Sequence, residues 1–144
     1  MKNLIQNLDR KKVLLILEWC KTNFGRSKYH RKYPRLRVYR STGKSSFQGC
    51  DGALCGTYRS GVISIYLGSH NSMKEVCRTV IHEYKHYLMS IREYRSIATQ
   101  FRKKGYSENN ISFNHPHEKE CRSFENNNDD LCFSQLRKRL YSKI

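Results

Sequence analysis

Long apolar runs are missing from this sequence: no stretch approaches the ~20 residues that a membrane-spanning helix needs, and the cluster at 13–17 has charge on both sides. No membrane partner is expected. No secretory leader is expected either, since Lys2 runs into mixed-polarity, Asn-bearing sequence without a small-residue cleavage site. The expected location is therefore cytoplasmic, where thiols stay reduced. Cys20, Cys50, Cys55, Cys77, Cys121 and Cys132 are read as free thiols rather than as three disulfides. The C-x₂-C pair of a zinc knuckle is also absent. Cys50 and Cys55 enclose four residues and have no second close Cys or His pair, so they are left as loop residues without a role. Cys77 and Cys121 fall on apolar faces, as small hydrophobes.

Acidic residues are scarce. There are 12 against 28 lysines and arginines, a formal charge of +16. Such an excess attracts polyanions, so nucleic acid is a possible partner through the basic surface. The positive residues are spread along the chain rather than gathered in one reading helix. At 144 residues, with no internal repeat, the chain is long enough for one domain over 1–144 and too short for two ordinary ones.

What is present is one chemical motif. His82-Glu83-Tyr84-Lys85-His86 has the form His-Glu-x-x-His, which a shuffled chain of this composition would contain roughly once in a hundred. Positions four apart lie on one helix face, so both imidazoles can address one metal ion, with Glu83 beside them to take a proton from a metal-bound water. Helical context surrounds the motif. Met73, Cys77, Ile81, Tyr84, Leu88 and Ile91 recur on one flank, and Val76, Val80 and Tyr87 on a second. One zinc ion held by His82 and His86, with Glu83 as general base, is the expected site. It needs a third protein donor, and 115–120 offers His115, His117, Glu118 and Glu120. Glu118 shares a helix face with Cys121, Arg122 and Glu125, whereas Glu120 lies about 200° away, and the helical wheel does not choose between them.

The remaining pattern predicts an α+β chain. Residues 1–25 carry a packing helix over 3–24, ended by Gly25. A basic loop closes at Pro34. Residues 36–40 read as a strand and 41–55 as a Gly/Ser-rich loop, followed by a hairpin of 56–59 and 62–67 about Ser60-Gly61. Ile63, Ile65 and Leu67 should face the helices. Asn71 or Ser72 caps the motif helix, which is expected to run on through Ile91 and Tyr94, with 97–101 continuing it or beginning another helix before Lys103-Lys104-Gly105 breaks the pattern. Residues 106–114 read as a loop, His115-Pro116 as a helix start, 126–130 as a break, and 131–144 as a final basic helix. The sheet and the zinc site then span 35–125.

A strand of the form Ile-x-Ile, then His-Glu-x-x-His-Tyr-Leu, then about thirty residues, then His-Pro-x-Glu-x-Glu-x-x-x-Phe, resembles the compact gluzincin-type zincin metallopeptidases. These are the SprT-like and IrrE-like domains and related short phage proteins. The resemblance covers roughly 56–125 and implies a zincin-like fold, a small antiparallel or mixed sheet packed on the motif helix and flanking helices. In that family the third ligand is the first Glu of Glu-x-x-Ala, with an aromatic residue often six positions on. The matching positions here are Glu118, Cys121 in place of Ala, and Phe124, which makes Glu118 the implied ligand and leaves Glu120 and His115 as alternates. Arg122 stands where the family often has Asp or Asn to orient a ligand His, so that duty must fall to another residue. No C-terminal zinc ribbon follows.

The resemblance further implies hydrolysis of peptide bonds in a peptide or protein substrate. The strand at 62–67 would border the cleft, Glu83 would be the base, and Tyr106, His115 or His117 would be donors to the oxyanion. The alternative is a basic nucleic-acid-binding or regulatory protein on a non-catalytic zincin scaffold.

Overall fold

The computed structural model describes residues 9–44 and 53–141. Its architecture is mixed α+β, with five helices and a three-stranded sheet among the described residues. Helix α1 (Arg10–Phe24) starts where Asp9 accepts from the Lys12 N–H at 3.1 Å. It ends at Gly25, whose φ of +75° suits the residue without a Cβ. Residues 3–8 of the expected first helix, 45–52 of the expected loop, Cys50 included, and 142–144 of the expected final helix lie outside the described residues.

Strand β1 (Arg35–Tyr39) is followed by β2 (Gly43–Lys44) and β3 (Ala53–Leu54), which pair antiparallel, so the ends of the expected 41–55 loop form a small ladder. Next come β4 (Gly56–Arg59) and β5 (Val62–Tyr66) as the expected hairpin. Ser60 and Gly61 both have positive φ, +51° and +79°, the combination of a type I′ turn that matches strand twist. The sheet order is β1-β5-β4, with β1 parallel and β4 antiparallel to β5. Ile63 and Ile65 are buried against the helices, as their alternation predicts.

Helix α2 (Met73–Leu88) is capped reciprocally. Ser72 accepts from the Glu75 N–H, and the Glu75 carboxylate accepts from the Asn71 N–H. Contrary to expectation α2 does not run through Ile91. Ser90 accepts from the Glu93 N–H and starts a separate helix, α3 (Ile91–Lys103). Residues 106–114 are likewise not all loop, because Ser107 caps α4 (Glu108–Asn114) in the same way. Nor is there a break at 126–130. Helix α5 (Pro116–Leu140) is continuous, and the expected final helix is its last part. The Asn/Asp run persists as helix because α2 partners it: Arg78 donates to Asn126 at 2.8 Å and pairs with Asp129 at 3.3 Å, and Lys74 pairs with Asp130.

One core joins these layers. Val13, Ile16, Leu17 and Cys20 of α1 meet Ile63 and Ile65 of β5, the apolar flanks of α2, and Cys132, Leu136 and Leu140 of α5. No helix of the described residues is long and apolar enough to cross a membrane.

Gly56 sets how closely the outer strand approaches α2. A Cβ there would stand 2.7 Å from Thr79 Cγ2 and 3.0 Å from the Ser64 carbonyl oxygen. The second contact is with backbone and cannot rotate away. Gly56→Ala is therefore expected to destabilise the fold by about 1–3 kcal/mol, read as a lowered urea midpoint at unchanged m-value. An unchanged midpoint would show that β4 is free to move outward.

Candidate metal centre

The apolar flanks of α2 bury Val76, Val80, Ile81, Tyr84 and Tyr87, which turns His82, Glu83 and His86 toward a cleft. Across it runs the first turn of α5, the helix that packs most extensively on α2. Pro116 opens α5 and the His115 ring caps it by accepting from the His117 N–H at 3.0 Å. That start delivers Glu118 to the histidine pair. Its Oε1 lies 3.2 Å from His82 Nε2 and 2.9 Å from His86 Nε2. Zinc-sized bonds to N and O in a tetrahedral site set ligand–ligand edges of about 3.3 Å, so both histidine–carboxylate separations are already close to that value. Cys121, one turn further along α5, completes a group of four whose ligand atoms all lie within 4.8 Å of one another. His82, His86, Glu118 and Cys121 are thus a group that could hold a metal ion.

Two residues that sequence reasoning did not single out support this group. Tyr94, from α3, donates its hydroxyl to Glu118 Oε2 at 2.9 Å and so fixes the carboxylate with its other oxygen on the histidines. Glu125 places Oε1 3.5 Å from His82 Nδ1. It supplies the orienting carboxylate that Arg122 does not, one turn further along the helix. Glu125 was legible as a face-mate of Glu118, seven residues on. Tyr94 was not, because nothing local to α3 says which way it points.

The alternates are placed elsewhere. Glu120 faces Lys85 at 3.6 Å, and His115 gives its Nε2 to the Tyr94 carbonyl at 2.9 Å. Of the three expected oxyanion donors only His117 lines the cleft, with Nε2 3.3 Å from Glu93 Oε1. Tyr106 packs edge-on against Phe101, outside the cleft lining, and Cys55 is exposed.

Electrostatics follow the geometry. Burial alone would lower His82, but its hydrogen bonds to Glu118 and Glu125 and the nearby Glu83 charge outweigh that and push it up to about 10. Burial alone would raise Glu118, and the same histidine bonds instead hold it well below the usual carboxylate range. Glu83 has no such bond. Burial raises it despite the two histidines, which suits a group that must accept a proton and give it back.

The cleft measures about 950 Å³ and runs from β4 past His82, His86 and Glu118 to α3 and α4. Here the expected role of β5 is corrected. With β1 on one side and β4 on the other, β5 is the central strand, and the wall of the cleft is formed by β4, at the sheet edge. No protein-family model matches the chain, and neither a curated protein nor a solved structure matches it.

The His82 proton carries a stability consequence. Its value rises from an ordinary 6.5 to about 10 in the folded chain, so its contribution is fully present below pH 6.5 and is lost as pH climbs through 10. Chelated protein should therefore lose Tm across that window. His82→Gln should flatten this decline, and metal should offset it by replacing the proton on the ring nitrogen. Equal slopes in the parent and in His82→Gln would remove His82 as the cause.

Proposed function

We propose that this chain is a zinc-dependent metallopeptidase with a zincin-like fold, in which His82, His86 and Glu118 hold one zinc ion and Glu83 is the general base. The observation that carries the reading is the convergence of both Nε2 atoms on a single oxygen of Glu118, with the Glu83 carboxyl beside them in an open cleft. Two imidazoles and one carboxylate form the donor set of a hydrolytic zinc site that keeps a position for water. Such an ion, when bound, polarises a carbonyl and acidifies its water.

The chain's own groups supply the rest. Glu83 takes the water's proton and passes it to the leaving amine, and its raised affinity for protons fits both halves of that task. Glu125 and Tyr94 orient His82 and Glu118. His117, which lines the cleft, would be the donor to the oxyanion.

Strand β4 provides the means to hold an extended peptide. The Tyr66 N–H donates to the Cys55 carbonyl, so the antiparallel alternation turns the backbone groups of Thr57 and Arg59 toward β5. Those of Gly56 and Tyr58 point outward at the edge, where a substrate strand can pair with them.

The purified chain is expected to carry close to one zinc. Glu118→Ala should lower that occupancy, and Tyr94→Phe should weaken zinc about 10- to 100-fold. Glu83→Gln should keep zinc and fold while cleavage of a mixed peptide library falls about 10²- to 10⁴-fold. A folded parent that takes up no zinc would end the proposal.

A further inference from the structure

Helix α5 turns a single stripe toward the histidines: Glu118, then Cys121 one turn on, then Glu125 after a second turn. Glu118 and Glu125 each have a partner in His82. Cys121 is different. Its side chain is completely buried, and its thiol has no hydrogen-bond partner among the described residues. Yet its Sγ lies within 4.8 Å of the ligand atoms of His82, His86 and Glu118. A buried thiol packed only for its volume needs no such neighbours. It would sit as well against the apolar core, as Cys20 and Cys77 do.

We propose that Cys121 is a fourth metal ligand, so that the loaded chain forms a closed site of two histidines, one glutamate and one cysteine. The inference rests on the metal centre proposed above and adds to it a residue that changes what the site does at rest. Thiolate is the softest donor in the group and the one that most favours zinc over the hard cations a carboxylate-rich site would otherwise admit. Bonds of about 2.0 Å to nitrogen and 2.3 Å to sulfur set N–S edges of about 3.5 Å in a tetrahedral site, so Cys121 needs to settle by roughly an ångström to join it. Four protein ligands fill a tetrahedral zinc, whereas a hydrolytic site keeps one position for water. Cys121 bound in this way takes the place that an attacking water beside Glu83 requires. The resting chain is then closed, and hydrolysis begins only after the thiol gives way.

The test uses cobalt(II) in the full-length chain, because a cobalt–thiolate bond adds an intense near-ultraviolet charge-transfer band that nitrogen and oxygen donors do not produce. The parent is expected to bind one cobalt with that band and with strong visible absorption of a four-coordinate ion. Cys121→Ser, close in size to the parent side chain, and Cys121→Ala should both still bind one cobalt, without the band. Their zinc affinity should fall about tenfold or more. Cobalt bound by the parent without the band, or a band that survives in Cys121→Ala, overturns the proposal and leaves the three-ligand site standing. A folded parent that binds neither cobalt nor zinc overturns both. Far-ultraviolet circular dichroism of each variant separates loss of the ligand from loss of the fold, and Cys121→Ser serves if the alanine variant does not fold.

Discussion

The seam between α2 and α5 is the interaction on which the rest of the structure depends. On α2, Lys74, Arg78, His82 and His86 stand four residues apart in one basic stripe. Helix α5 runs past it in the opposite direction, and its acids meet that stripe in order: Asp130 on Lys74, Asp129 and Glu125 on Arg78, Glu125 and Glu118 on His82, and Glu118 again on His86. The chain has only 12 acidic residues, and five of them, Glu118, Glu120, Glu125, Asp129 and Asp130, lie on α5. In a chain of charge +16 that concentration decides which helix α2 accepts and in which register. The outermost pair, Lys74 with Asp130, is exposed and adds little energy by itself. The effect of the pairs along the seam is on register, which brings Glu118 onto both histidines and Glu125 onto His82.

This pairing also explains which parts of the fold were legible. The His82-Glu83-x-x-His86 pattern is local, and helix geometry alone places both rings on one face. The hairpin at Ser60-Gly61 and the Gly25 stop are local for the same reason. The run from Asn126 to Asp130 misleads when read locally, since it has no apolar stripe and its residues favour turns. It is helical because its partners lie about fifty residues earlier on α2. Ser90 and Ser107 are the opposite case. Each is followed three residues later by a residue whose N–H it accepts, a local signal outweighed in the reading by the apolar pattern at Ile91 and Tyr94 and by the polarity of 106–114. Glu118 and Glu120 could not be separated on the helical wheel, because that choice depends on Lys85, a long-range partner that draws Glu120 away.

The order of strands was beyond local reading too. Ile63 and Ile65 are core-facing on any three-stranded sheet with one covered face, so their burial was predictable. That β1 pairs parallel to β5, and so leaves β5 in the centre with β4 at one edge, depends on a connection through β2, β3 and β4. The consequence reaches the site. An edge strand that carries Gly56 can lie close against Thr79 of α2, and this brings its outward backbone groups along the same cleft as His82 and Glu83.

The cluster of His82, Glu83, His86 and Glu118 is at the same time an electrostatic compromise. Glu118 is held ionised by the histidines, His82 is held protonated by Glu118 and Glu125, and Glu83, one residue away, is pushed toward its neutral form by burial. A proton on His82 balances the carboxylates only in part, and it does so on a nitrogen that a metal would use. A divalent cation at the same place would meet Glu118 and both imidazoles together and release that proton. Burial alone would make Glu118 a poor anion. Its place in the first turn of α5, with Tyr94 on one oxygen and the histidines on the other, keeps it ionised instead.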